Sequence, residues 1–174
     1  MFKELNIMEA FFQSPAREFG VREVARLLGV APATASKELK ALAKKGLLKE
    51  RKERIYNLYK ANLESDFYRD LKVFYSIRKI RDSGLLESLD RFYLRPAVIL
   101  FGSAAHGLDT ETSDLDIVVI SEKVKGFPDL QAFERKLKRK IQIFAVRRLK
   151  DLKNEHLINN VLNGIVLQGE IEWI

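Results

Sequence analysis

No cysteine occurs in this 174-residue chain. That excludes a disulfide framework and a thiolate metal site, and it agrees with a reducing, cytoplasmic setting. Histidine is nearly absent too: only His106 and His156 are present, and neither has a sequence neighbour that would make it a ligand or a base. No apolar run approaches the roughly 18 residues that a bilayer-spanning helix needs. The N-terminus lacks the charged-then-apolar pattern of a signal segment. A membrane partner is therefore not expected. Internal repeats and low-complexity stretches are missing as well.

What is there is ordinary for a globular protein, 47% hydrophobic and 32% charged, with length for one medium domain or two small ones. The net charge of +7 is unevenly spread. Residues 1–62 carry 13 Lys/Arg against 7 Asp/Glu, residues 63–95 carry 7 against 6, and residues 96–174 carry 11 against 11. The basic surplus thus belongs to the first third, where an anionic partner is expected.

In that third, Leu5, Met8, Phe11 and Phe12 recur at helical spacing up to Ser14-Pro15. Val21 to Leu28 reads as a short helix with Val24, Leu27 and Leu28 inward, stopped by Gly29. Pro32 suits the first turn of a third helix to about Lys45. On it, Ala35, Leu39 and Leu42 face one way and Ala33, Thr34, Lys37, Lys40 and Lys44 the other. Two apolar segments flank a charged tip, Lys49-Glu50-Arg51-Lys52-Glu53-Arg54, and complete a β-hairpin. Helix, four-residue turn, lysine-faced helix and hairpin resemble the winged helix-turn-helix of prokaryotic transcriptional regulators over residues 1–62. The resemblance implies double-stranded DNA as partner. Lys37, Lys40 and Lys44, with Arg51 and Lys52, would contact phosphates, and Thr34 or Ser36 would reach base edges.

Leu63 to Ile80 is a long helical stretch whose apolar residues spread wider than the roughly 100° stripe of a helix packed on one side. It reads as a connector over residues 63–95, either pairing two copies as a homodimer or sandwiched within one chain.

The most informative stretch is PAVILFGSAAHGLDTETSDLDIVVI, residues 96–120. A β-branched run, Ala97 to Phe101, predicts a buried strand ending at Gly102-Ser103. Asp114-Leu115-Asp116 opens a second such strand. On a strand, Asp114 and Asp116 share a face, and two carboxylates at a strand edge resist desolvation unless a cation lies between them. Mg²⁺, a hard cation that keeps positions open for phosphates, suits the pair, while Gly102 and Ser103 suit an anion. Gly-Ser, ten residues, then Asp-x-Asp resembles the minimal nucleotidyltransferases of the DNA polymerase β superfamily, over roughly residues 96–170. The resemblance implies that Gly102 and Ser103 hold the phosphates of an NTP and that Asp114 and Asp116 bind catalytic Mg²⁺ or Mn²⁺. A helix over Pro128–Arg139, with Leu130, Phe133 and Leu137 buried, leads to a third strand over residues 140–145, and residues 166–171 suit a fourth.

The family sets a third carboxylate in that third strand, and here Gln142 stands in its place. An amide is neither a base nor an anionic ligand. Asp109 and Glu111, in the preceding loop, remain as alternative sources. The expected architecture is α+β: a winged helix-turn-helix, a helical connector, and a small mixed α/β nucleotidyltransferase-type sheet over residues 96–174. The expected function is a DNA-binding transcriptional regulator whose second domain binds Mg-NTP, with catalysis doubtful at Gln142. The alternative is an active transferase moving NMP from NTP to RNA, a small molecule or a protein, a HEPN-type toxin among them.

Overall fold

The computed structural model describes residues 2–171, which form two compact units dividing between Tyr75 and Ser76. Among the described residues no helix is long and apolar enough to cross a membrane.

The first unit opens with α1 (Phe2–Gln13), whose Ile7, Met8, Phe11 and Phe12 are buried; the side chain of Leu5 lies outside those described. A two-residue strand, β1 (Phe19–Gly20), leads into α2 (Val21–Leu28). Gly29 ends α2 in the left-handed region at φ 64°, and Val30 N–H donates back to the Ala25 carbonyl at 3.0 Å. This is the glycine-capped stop expected for the segment. The inward face differs in one residue. Val24 and Ala25 are buried and Leu28 packs on the core, but Leu27 is 61% exposed. At about 100° per residue, Val24, Leu28 and Ala25 share one arc, and Leu27 falls beyond its far edge.

α3 (Pro32–Lys44) follows, with proline in its first turn and Ala35, Leu39 and Leu42 buried. Strands β2 (Leu48–Glu53) and β3 (Tyr56–Ala61) form a hairpin, and the three strands are antiparallel in the order β1-β3-β2. Tyr59 is fully buried, and its hydroxyl donates to Glu50 Oε1 at 2.9 Å from the residue opposite on β2. Burial, then the Glu50 carboxylate, push the Tyr59 phenol up to about 12.

Helix α4 (Asp66–Ser83) runs across the division. Its Tyr68 is buried, donates to the Phe11 carbonyl at 2.9 Å and stacks obliquely with Phe12. Tyr75 packs on Phe12 as well. Beyond the division, Ile77 and Ile80 belong to the second unit's core. The wide apolar girdle read from the sequence thus serves two cores in succession along the helix.

The second unit continues with α5 (Leu85–Tyr93) and a four-stranded sheet in the order β6-β5-β4-β7. Its strands are β4 (Ala97–Phe101), β5 (Leu115–Ile120), β6 (Ile141–Val146) and β7 (Ile165–Gln168). β4 runs antiparallel to β5 and β7, and β5 runs parallel to β6 through the crossover helix α6 (Leu130–Leu137). Every residue of β4 is buried, as its unbroken apolar run requires. Alternation divides the core: Val98, Leu100, Ile117 and Val119 pack with Leu85, Leu86 and Leu89 of α5. Ile99, Phe101 and Val118 pack with Val161 of α7 (Glu155–Leu162) on the other face. Leu130, Phe133 and Leu137 are half-buried rather than buried, because the helix that carries them covers residues of an edge strand.

Candidate active site

The site forms where β4 ends and β5 and β6 begin. In register, Phe101 lies opposite Asp116, and Asp116 lies beside Gln142. One strip across the sheet therefore carries the end of the first strand, the second aspartate and the glutamine. Asp114 precedes β5 and is exposed, while Asp116 is half-buried. Burial, and then the neighbouring Asp114 charge, raise the Asp116 carboxyl above the ordinary carboxylate range; the Arg139 guanidinium pulls the other way. The two aspartates thus repel each other at the edge of an apolar sheet, as their alternation on one face implied.

After β4 the chain turns sharply through a 3₁₀ turn, Gly102–His106. Gly102 sits at φ 70°, and a Cβ there would lie 2.5 Å from Asp116 Oδ2. Glycine next to Ser103 is therefore favoured for two reasons at once: the backbone conformation and the room for the carboxylate. Gly102 lies against Asp116, and Ser103 follows it in the turn. His106 and His156 are both exposed.

The two alternative carboxylates do not join the pair. Asp109 is only 2% exposed, and its Oδ2 accepts from Arg139 Nη1 at 2.7 Å. Glu111 is exposed on the loop. Among the described residues no three His, Cys, Asp or Glu side chains gather as a group able to hold a metal ion. Arg139 escaped the sequence reading because it lies in the basic run Arg135–Lys140, which looks like a solvated helix tail. Its buried partner is 30 positions away, and no local pattern marks such a pair.

In the first unit, Thr34, Lys37, Lys40 and Lys44 are exposed on α3, opposite the buried Ala35, Leu39 and Leu42, and Ser36 is half-buried. Arg51 and Lys52 are exposed on β2. Arg51 is engaged: its Nε and Nη2 donate to the two carboxylate oxygens of Glu18 at 2.9 and 2.7 Å.

No curated protein matches the chain. A family model described as "Nucleotidyltransferase domain" matches residues 82–163, a span that covers β4, the Gly102 turn, Asp114, Asp116, Gln142 and α7. The second unit therefore carries a nucleotidyltransferase domain.

Proposed function

We propose that this protein is a DNA-binding regulator whose nucleotidyltransferase domain holds Mg-NTP and transfers nucleotidyl groups slowly or not at all. The observation that carries the reading is the register that sets Gln142 beside Asp116. The donor set fits one divalent cation: two carboxylates repel each other, one of them half-buried, and a hard cation between them relieves both the repulsion and the burial. Asp114 and Asp116 would hold Mg²⁺, with Gly102 and Ser103 on the phosphates. The ion, when bound, would neutralise phosphate charge. Gln142 can donate or accept a hydrogen bond but cannot take the proton of an attacking hydroxyl. The deciding experiment incubates the full chain with labelled ATP, CTP, GTP and UTP, Mg²⁺ or Mn²⁺, and RNA, small-molecule and protein acceptors. Mg²⁺-dependent binding with little incorporation is expected, together with a higher rate in Gln142→Asp. Robust incorporation by the unaltered chain would make it a working transferase, and a HEPN-type toxin would then be the protein acceptor to test first.

For the first unit we infer a winged helix-turn-helix, with α3 entering the major groove of duplex DNA and the β2–β3 hairpin as its wing. Supporting this are the exposed Thr34, Lys37, Lys40 and Lys44 on one side of α3 and the exposed Arg51 and Lys52 on the hairpin. Lys37→Glu with Lys40→Glu should weaken duplex binding and flatten its salt slope by about one unit per lost phosphate contact. Duplex affinity unchanged by both reversals would sink the inference. Pairing of two copies through α4 is part of the same reading, since Phe67 and Phe74, two turns apart, are 51% and 41% exposed. A monomer by light scattering, with and without DNA, would remove it.

A further inference from the structure

We propose that Arg139 is a positioning residue for the Asp114–Asp116 pair, holding the loop before β5 so that both carboxylates meet one cation. The inference rests on reading that pair as a cation site. Arg139 immediately precedes Lys140 and β6, and its side chain is 17% exposed. Its fork spreads over the loop: Nη1 donates to Asp109 Oδ2 at 2.7 Å, and Nε and Nη2 donate to the Ser113 carbonyl at 3.1 and 2.8 Å. Nη2 also reaches the Asp114 carbonyl at 3.3 Å.

On the far side of Asp114, Leu115 N–H donates to the Lys140 carbonyl at 2.9 Å. The backbone of Asp114 is thus tied to residues 139 and 140 from both directions. The loop between is closed on itself, with Thr110 N–H donating to Ser113 Oγ at 2.9 Å. All four guanidinium bonds end on the loop and none on the two carboxylates, so Arg139 acts through the chain that carries Asp114. A planar fork can span a carboxylate and two carbonyls at once; an ammonium is a point charge and cannot.

Charge and geometry predict opposite signs here. A guanidinium repels an incoming cation, so loss of its charge alone would tighten metal binding. Loss of its fork would loosen the loop and weaken it. The test uses the full chain with ATP and Mn²⁺ as the probe, its affinity read by electron paramagnetic resonance, in Arg139→Lys, Arg139→Gln and Asp109→Asn/Arg139→Gln. The double variant removes the buried carboxylate that Arg139→Gln alone would strand, which keeps the measurement possible if the single variant does not fold. All folded variants should bind Mn²⁺ about tenfold or more weakly than the unaltered chain, in the range seen when supports behind metal ligands are removed. That loss should persist well below each variant's melting temperature. Unchanged affinity in Arg139→Lys, or tighter binding in either variant lacking the cation, would overturn the positioning role and leave a stabilising ion pair. If the unaltered chain itself binds no Mn²⁺, the cation site fails and the assignment falls with it.

Discussion

The close approach of Gly102 to Asp116 makes Gly102→Ala the sharpest probe of the site, because its two costs can be separated. The first is backbone: an L-residue at φ 70° loses about 1–2 kcal/mol relative to a right-handed conformation. Gly84 provides a control in the same unit. It sits at φ 81°, and a Cβ there would meet only Glu87 Oε2, at an ordinary 3.9 Å, so Gly84→Ala carries the backbone cost without a collision. The second cost is specific to Gly102, where the added Cβ would stand 2.5 Å from Asp116 Oδ2. That oxygen ends a short side chain and can swing away, at roughly 0.5–1.5 kcal/mol if it leaves its rotamer by about 30°. In stability Gly102→Ala should therefore fall below Gly84→Ala only by the second cost, about 2–12 °C of melting temperature at about 4–8 °C per kcal/mol for a unit of this size. In function they should part company. An oxygen displaced by about 1 Å exceeds the roughly 0.2 Å tolerance of a metal–ligand distance, so Mg²⁺-dependent ATP binding, measured by calorimetry, should fall at least about tenfold in Gly102→Ala alone. If Gly102→Ala binds Mg-ATP like the unaltered chain, Asp116 is not a ligand of the cation.

Two further outcomes follow from titration. The Asp116 carboxyl is raised by burial and by Asp114, so without metal its proton is held more tightly in the folded chain than in the unfolded one. The stability it lends is full below the ordinary carboxylate range and is lost as pH rises through the raised value. Mg²⁺ competes with that proton, so Mg²⁺ affinity should climb from acidic to neutral pH and then level off; a flat profile in a Mg²⁺ titration would contradict the ligand role. The Tyr59 phenol, pushed up to about 12, should help the first unit below pH ~10 and lose that contribution above it. Tyr59→Phe should therefore cost about 1 kcal/mol near neutral pH, a gap that closes as the solution becomes alkaline. Denaturant melts at several pH values would show it, and a gap independent of pH would count against a buried, Glu50-bound phenol.

What could be read in advance was local. The Gly29 stop, Pro32 in the first turn of α3, and the inward Ala35, Leu39 and Leu42 all follow from spacing within one helix, and all three appear in the fold. That Asp116 feels the charge of Asp114 was legible for the same reason, two positions apart in sequence, although Asp114 lies just before β5 rather than on it. Leu27 was misplaced because a helix of two turns leaves the centre of its buried arc to be set by tertiary packing. α4 showed its wide apolar girdle, but not that the division between units falls between Tyr75 and Ser76. The burial of Asp109 beneath Arg139 had no sequence signal at all, because a loop carboxylate and a basic helix tail each look solvated until the loop folds over.

Gln142 is where charge and chemistry argue in the same direction. Asp114 and Asp116 already raise the energy of each other's charged form, and Asp116 is half-buried besides. A third carboxylate beside Asp116 on β6, where Gln142 stands, would add a second like charge at the same sheet edge. Its repulsion would be tolerable only with more positive charge bound, which is what a two-ion site supplies. The nearby Arg139 offsets only part of the repulsion: its charge already draws the Asp116 carboxyl down, yet burial and Asp114 keep that carboxyl raised. An amide at 142 would remove the need: one divalent cation would balance two carboxylates, and the glutamine would remain available as a neutral hydrogen-bonding group. On that reading the amide would also leave a second ion without an anionic ligand and an attacking hydroxyl without a base. Under the proposed function, a site balanced for one ion in this way would favour holding a nucleotide over transferring it.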